Sequence, residues 1–267
     1  MPVIPFSKYQ GTGNDFILID QSRDIFINPG QKELIEKLCD RRFGIGADGL
    51  MLLEPSFRAD FKMVYFNSDG NQSTMCGNGG RCIIRFARYK GLIHDRCIFE
   101  AIDGMHTGRI LSETDDLVEL GMNDVHNIKQ VDKESFELNT GSPHYVSFVN
   151  DLPENIAEAG REVRYSEIYK KEGINVNFVK MLEEGILVAT YERGVEAETL
   201  SCGTGVTAAA IAYHMKYPYL KPPFKIFTKG GTLQVDFDNS GDDYSKIKLT
   251  GPAVRVFDGY VDSDFLD

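Results

Sequence analysis

Short apolar, β-branched runs bounded by turn residues recur along the chain, at 16–20, 61–66, 145–149, 176–181, 186–191, 233–237 and 247–250. Runs of this length and composition predict strands. Helical periodicity is confined to fewer places. One is 31–39, where Leu34, Ile35 and Leu38 share a face after an Asn28-Pro29 start signal. The pattern predicts a strand-rich α+β fold.

The order strand, polar turn, C-G-x-G, helix occurs twice. The strand 61–66 leads through Asn67-Ser68-Asp69-Gly70 to Cys76-Gly77-Asn78-Gly79-Gly80-Arg81 and a helical run that ends at Gly91. The strand 186–191 leads through Glu192-Arg193-Gly194 to Cys202-Gly203-Thr204-Gly205 and a helical run to about Met215. The two cysteines lie close to half the length of the chain apart, which suggests two related lobes. The second helix, starting Val206-Thr207-Ala208-Ala209-Ala210, is apolar on nearly all sides and should be enclosed by protein. The first is more amphipathic: Ile83, Ile84, Phe86 and Ala87 should pack inward, while Arg81, Arg85 and Arg88 need water or partners.

Composition narrows the function classes. The chain has 267 residues, 42% of them hydrophobic, enough to bury a sizeable core without staples. Its formal charge of −11 argues against nucleic-acid binding through a basic face. No basic amino-terminal leader and no long apolar stretch is seen, so a cytoplasmic protein that meets no membrane is expected. The five cysteines have neither paired C-x-x-C spacing nor the density of a disulfide scaffold. Cys39, Cys82 and Cys97 read as small buried hydrophobes, and a zinc site or any other metal is not expected. Gly11-Thr12-Gly13 lacks the third glycine of a dinucleotide fingerprint, and no phosphate loop is completed.

Cys76 and Cys202 differ from the other three because each stands before a glycine-rich helix start. The amides and dipole there favour negative charge and lower a thiol's pKa. Glycines beside the thiol leave the amides open to a substrate carboxylate. Two such units can put a proton acceptor on one face of a carbon and a donor on the other, which is inversion of a stereocentre. Nothing in the sequence points to pyridoxal phosphate, so no cofactor is expected. Preorganised N–H donors would have to stabilise the developing charge.

With these residues in view, the chain resembles the diaminopimelate epimerase family along essentially its whole length. The matching segments are G-T-G-N-D-F at 11–16, R-F-G-I-G-A-D-G at 42–49, F-N-S-D-G at 66–70, C-G-N-G-G-R-C at 76–82, G-S-P-H at 141–144, N-V-N-F at 175–178, Y-E-R-G at 191–194, C-G-T-G at 202–205 and G-P-A at 251–253. The resemblance implies two pseudo-symmetric lobes, each a mixed β-sheet or barrel wrapped around a central helix, with the active site in the interlobe cleft. The lobes would be 1–122 plus 251–267, and 123–250.

It also implies interconversion of L,L- and meso-2,6-diaminopimelate without metal or cofactor, in lysine and peptidoglycan precursor synthesis, by a homodimer. Cys76 and Cys202 fall on the catalytic positions, as thiolate base and thiol acid. Gly77, Asn78, Gly203 and Thr204 match the positions whose amides hold the carboxylate at the reacting carbon. Asn14, Asn67, Asn175, Glu192 and Arg193 match further substrate contacts, Arg193 taking the distal carboxylate. His144 and Glu192 match positions that tune the thiol pKa values.

Four features depart from the family pattern: Ser142 where many members have Asn, Gly49 where some have a polar contact, Phe257 in place of an interface tyrosine, and a segment 192–202 one residue longer. The rival readings are a proline or hydroxyproline racemase and a non-catalytic binding protein. The first leaves Asn67, Asn175 and Arg193 without a purpose, and the second needs no thiol.

Overall fold

The computed structural model describes residues 3–112, 114, 116–262 and 265; Met1 and Pro2 and most of 263–267, the two ends of the expected first lobe, lie outside them. The chain divides into two compact units, residues 1–120 with 251–267, and residues 121–250. Among the described residues no helix is long and apolar enough to cross a membrane.

In the first unit β1 (Ile4–Gly11) and β2 (Asn14–Asp20) form an antiparallel hairpin, and α1 (Lys32–Cys39) leads to β3 (Gly49–Glu54), parallel to β2. β4 (Phe61–Asn67) runs antiparallel to β3 and to the short β5 (Gln72–Ser73). Then α2 (Gly77–Tyr89) crosses over to β6 (Arg96–Ala101), parallel to β4, and β7 (Gly104–Ser112) and β8 (Leu117–Gly121) follow antiparallel.

From β10 (Ser135–Asn139) onward the second unit repeats this order strand for strand. β9 (Lys129–Gln130) pairs with β10, which pairs antiparallel with β11 (Pro143–Val149). Through α3 (Ile156–Arg164) the chain reaches β12 (Asn175–Leu182), parallel to β11, and β13 (Gly185–Glu192) turns back antiparallel, followed by β14 (Ala197–Thr199). Then α4 (Gly203–Lys216) crosses to β15 (Phe224–Thr228), parallel to β13, and β16 (Gly231–Ser240) and β17 (Asp243–Pro252) close the repeat. Last, β18 (Val254–Val261) pairs antiparallel with β1.

Each unit is a mixed sheet with one helix inside and one outside. Phe16 to Ile19 of β2 are all buried because both faces of the strand are covered, which is why that run is continuously apolar. Ile17 and Ile19 meet Ile35 and Leu38 of the outer helix α1, together with Leu50, Leu52, Val64 and Phe66. The inner helix α2 is buried from Gly77 through Cys82 and at Ile83, Ile84, Phe86 and Ala87. In α4, Val206 through His214 are all buried, as an all-round apolar helix requires. On the outer side of the second unit, α3 lies on Val176, Phe178, Ala189 and Tyr191.

Candidate active site

Cys76 and Cys202 are the N-cap residues of α2 and α4, both in extended backbone (φ −94, ψ 132 and φ −118, ψ 112), and neither helix start has a side-chain cap. The first helical bonds, Gly80 N–H to Cys76 O at 2.7 Å and Val206 N–H to Cys202 O at 2.8 Å, leave the preceding turn of amides without intrahelical acceptors. Each cysteine therefore stands beside an end of positive potential suited to an anion. Cys39, Cys82 and Cys97 are buried, and burial pushes each thiol up to about 12, so they are inert.

In the first unit the turn between β1 and β2 lies against the start of α2. Gly11 is needed there because a Cβ would stand 3.0 Å from Asn78 O and 3.2 Å from Cys82 Sγ. Thr12 takes a left-handed φ of 49°, held by its hydroxyl, which donates to Asn78 Oδ1 at 3.1 Å. Asn78 is fully buried, and its Nδ2 donates to Asn14 Oδ1 at 2.6 Å. Asn14 is pinned in turn by donating to Asp48 Oδ2 at 3.0 Å, in a cluster where Arg41 bridges Asp15 and Asp48 at 2.6 and 2.7 Å and Lys8 pairs with Asp15 at 2.8 Å. The segment 42–49 thus ends in the carboxylate that orients Asn14. Gly49 has no room for a side chain, since a Cβ would lie 2.5 Å from Phe66 O.

Beneath this turn lies a cation. Arg81 is wholly buried and donates to Gly77 O at 3.1 Å, Thr12 Oγ1 at 3.1 Å, Asn78 Oδ1 at 3.0 Å and Pro252 O at 3.4 Å. All four acceptors are neutral. Burial draws the guanidinium down to about 10, so it stays charged at neutral pH. The sequence pattern grouped Arg81 with Arg85 and Arg88, and nothing in its spacing separates it from them.

In the second unit the equivalent turn is Thr140 to Pro143, where Thr140 Oγ1 donates to Thr204 O at 2.9 Å. Ser142 occupies the place Asn14 holds in the first unit, and its Oγ lies 3.3 Å from Thr204 Oγ1. Thr204 Oγ1 is 3.4 Å from Cys202 Sγ. His144 is fully buried, with Nε2 3.0 Å from Ser142 Oγ and Nδ1 3.0 Å from Asn177 Nδ2. Burial, with Arg193 adding to it, pushes His144 down to about 3, so the ring is neutral under ordinary conditions. The sequence reading missed Asn177 and Thr190, whose hydroxyl donates to Asn177 Oδ1 at 2.9 Å. The signal was present in Asn175 and Asn177, two polar residues on one face of an apolar strand.

The remaining predicted residues sit at strand ends. Asn175 is buried and already engaged: its Oδ1 accepts from Arg193 N at 2.9 Å and its Nδ2 donates to Pro143 O at 2.9 Å and Ser142 Oγ at 3.2 Å. Arg193 is exposed just beyond β13, with NH1 donating to Glu172 O at 3.0 Å. Glu192 ends β13, half-buried, and the longer segment after it is pinned by Glu196, which accepts from Tyr191 Oη at 2.8 Å and Gly194 N at 3.1 Å. Asn67 is exposed at the end of β4 in a turn closed by Gly70 N–H to Asn67 O at 3.0 Å. The structure therefore gathers Asn14, Gly77 and Asn78 with Cys76, and His144, Gly203 and Thr204 with Cys202.

Known proteins divide the chain in the same repeated way. The family described as diaminopimelate epimerase matches residues 6–126 and again 136–256. A diaminopimelate epimerase of Flavobacterium psychrophilum is 50% identical over 94% of this chain and 97% of its own. One of Aquifex aeolicus is 37% identical over 98% and 99%. Among solved structures, a PhzF-family phenazine biosynthesis protein of Bacillus anthracis superposes with a TM-score of 0.74 at 17% identity, covering 98% of this chain and 99% of that one. A hydroxyproline epimerase of Agrobacterium vitis gives 0.68 at 15%, covering 98% and 93%; both likenesses are of fold alone. On these matches, the chain belongs to the diaminopimelate epimerase family.

Proposed function

We propose that this protein inverts one α-carbon of 2,6-diaminopimelate, interconverting the L,L and meso forms without a cofactor, in the supply of lysine and cell-wall precursors. The observation that carries the reading is the pair of cysteine N-caps on uncapped glycine-rich helix starts, within a chain that matches the family over both halves. One thiolate takes the α-proton, the other thiol returns a proton to the other face of the carbon, and helix-start amides at Gly77, Asn78, Gly203 and Thr204 hold the carboxylate as it gathers charge. The side chain of Asn78 is committed to Asn14, Thr12 and Arg81, so its part in substrate binding falls to the backbone. Arg193 takes the distal carboxylate, with Asn67 and Glu192 beside the distal head. A cytoplasmic homodimer belongs to the same proposal. The exposed Val256, Phe257 and Tyr260 of β18 support an interface, and light scattering on purified protein would read it.

The test is solvent deuterium incorporation at the α-carbon of L,L-diaminopimelate, with proline and hydroxyproline as competing substrates. Wild type should exchange and epimerise only diaminopimelate, and Cys76→Ala and Cys202→Ala should each lose epimerisation by at least about 10³-fold. Exchange on proline alone would move the protein to the racemase reading.

A further inference from the structure

The hydrogen bonds under α4 have a determinate direction. Asn177 Nδ2 donates to Tyr145 O at 3.1 Å, a carbonyl that only accepts, and Thr190 Oγ1 donates to Asn177 Oδ1 at 2.9 Å, so the amide cannot be flipped. The same Nδ2 lies 3.0 Å from His144 Nδ1, which must accept, placing the imidazole proton on Nε2. That proton goes to Ser142 Oγ at 3.0 Å. Ser142 Oγ also accepts from Asn175 Nδ2 at 3.2 Å, an amide fixed by Pro143 O and by the Arg193 N–H. With two donors on its oxygen, Ser142 has one proton to give, and Thr204 Oγ1 stands 3.3 Å away. Thr204, accepting there, directs its own proton at Cys202 Sγ, 3.4 Å off.

We propose that Ser142 and Thr204 are positioning residues that end a one-way chain of donors on the Cys202 sulfur, holding Cys202 as the resting thiolate. The inference rests on the reading of Cys202 as an acid/base group. A neutral His144 suits the role, because it passes a fixed dipole along the chain without adding a charge. The charged groups on the strands packed against α4 are Glu137 of β10, Lys180 of β12, Glu192 at the end of β13, Lys225 of β15, and Asp236 and Asp238 of β16; Arg193 lies just beyond β13, and Glu198 of β14 is paired by Lys229 at 2.6 Å. The corresponding side chains of the first unit are arranged differently: Asn78 donates to Asn14 there, and Thr12 and Arg81 donate to the other end of Asn78.

The test is the pH profile of alkylation of Cys202 in the full-length protein, read by mass spectrometry of its peptide, with the Cys76 peptide as reference. Thr204→Val keeps the shape and removes the hydroxyl, and should move the Cys202 midpoint up by about one pH unit. Thr204→Ser should restore it, and Ser142→Ala should move it in the same direction by about half as much. The Cys76 profile should not move in any of them. Superimposable Cys202 profiles for wild type, Thr204→Val and Ser142→Ala would overturn the proposal, and should Thr204→Val fail to fold, Ser142→Ala decides alone. Alkylation needs no substrate, so failure to turn over diaminopimelate would sink the functional reading while leaving this result to stand or fall separately.

Discussion

The two units share a strand order, a cysteine N-cap and a glycine-rich first turn, yet differ in what lies beneath the helix start. The first buries a permanent cation, Arg81, among neutral acceptors. The second buries a neutral imidazole, His144, in a chain of amides and hydroxyls. Duplication preserved the backbone that presents each thiol and let the supporting electrostatics diverge. The proposed two-base reaction would use such divergence, because at rest one thiol would hold a proton and the other would lack one.

The largest way to break the comparison is Arg81→Met. It removes the guanidinium's bonds to Gly77 O, Thr12 Oγ1, Asn78 Oδ1 and Pro252 O, leaving Thr12 and Asn78 only their bond to each other at that end, and urea unfolding should show a loss of about 3–5 kcal/mol. Smaller and more pointed is the matched pair Gly205→Ala and Gly79→Ala, at the same position of α4 and α2. An added methyl at 205 would meet Asn177 Oδ1 at 2.3 Å, whereas at 79 it meets the flexible Met51 Cε at 3.1 Å. Gly205→Ala should cost about 1–3 kcal/mol and Gly79→Ala clearly less, by the same unfolding measurement. Equal costs would mean that the polar packing under α4 is no more rigid than the apolar packing under α2.

Acid should separate the units more gently. Between the native value of about 3 and the ordinary 6.5, the unfolded chain binds a proton at His144 that the folded one does not, so stability falls as pH drops through that window. His214, buried against Tyr244, moves in the same direction. From pH 6.5 to 5 the loss from His144 alone is about 2 kcal/mol. In the first unit burial would raise the Asp15 carboxyl, but Arg41 and Lys8 outweigh it and hold it at about 2. Its contribution is kept until pH falls below the ordinary 3.8. Hydrogen exchange at pH 7 and pH 5, corrected for intrinsic rates, should therefore show α4 amides losing protection while α2 amides keep theirs.

What the sequence made legible follows from how each element is covered. Strands buried on both faces, such as β2 and β13, announce themselves as apolar runs. β7 does not, because its inward positions are His106, Gly108 and Ile110, and a Cβ at 108 would stand 2.5 Å from Ile84 Cδ1. α3 is hidden for a related reason, since a Cβ at Gly160 would stand 2.3 Å from Tyr191 Cβ, so glycine sits where a periodic pattern would show an apolar side chain. The cysteines were legible because their motif recurs with its flanking elements. The donor chain was not, because residues far apart in sequence meet only through the parallel register that sets His144 beside Asn175.

The route of the chain has a consequence for how the molecule is made. Residues 121–250 form one unit without interruption, but β1, laid down first, pairs with β18, laid down last. A ribosome therefore releases everything the second unit requires before it releases the strand that completes the first. The amino-terminal half must wait with one side of β1 unpaired through most of synthesis, so the half made first is the half finished last.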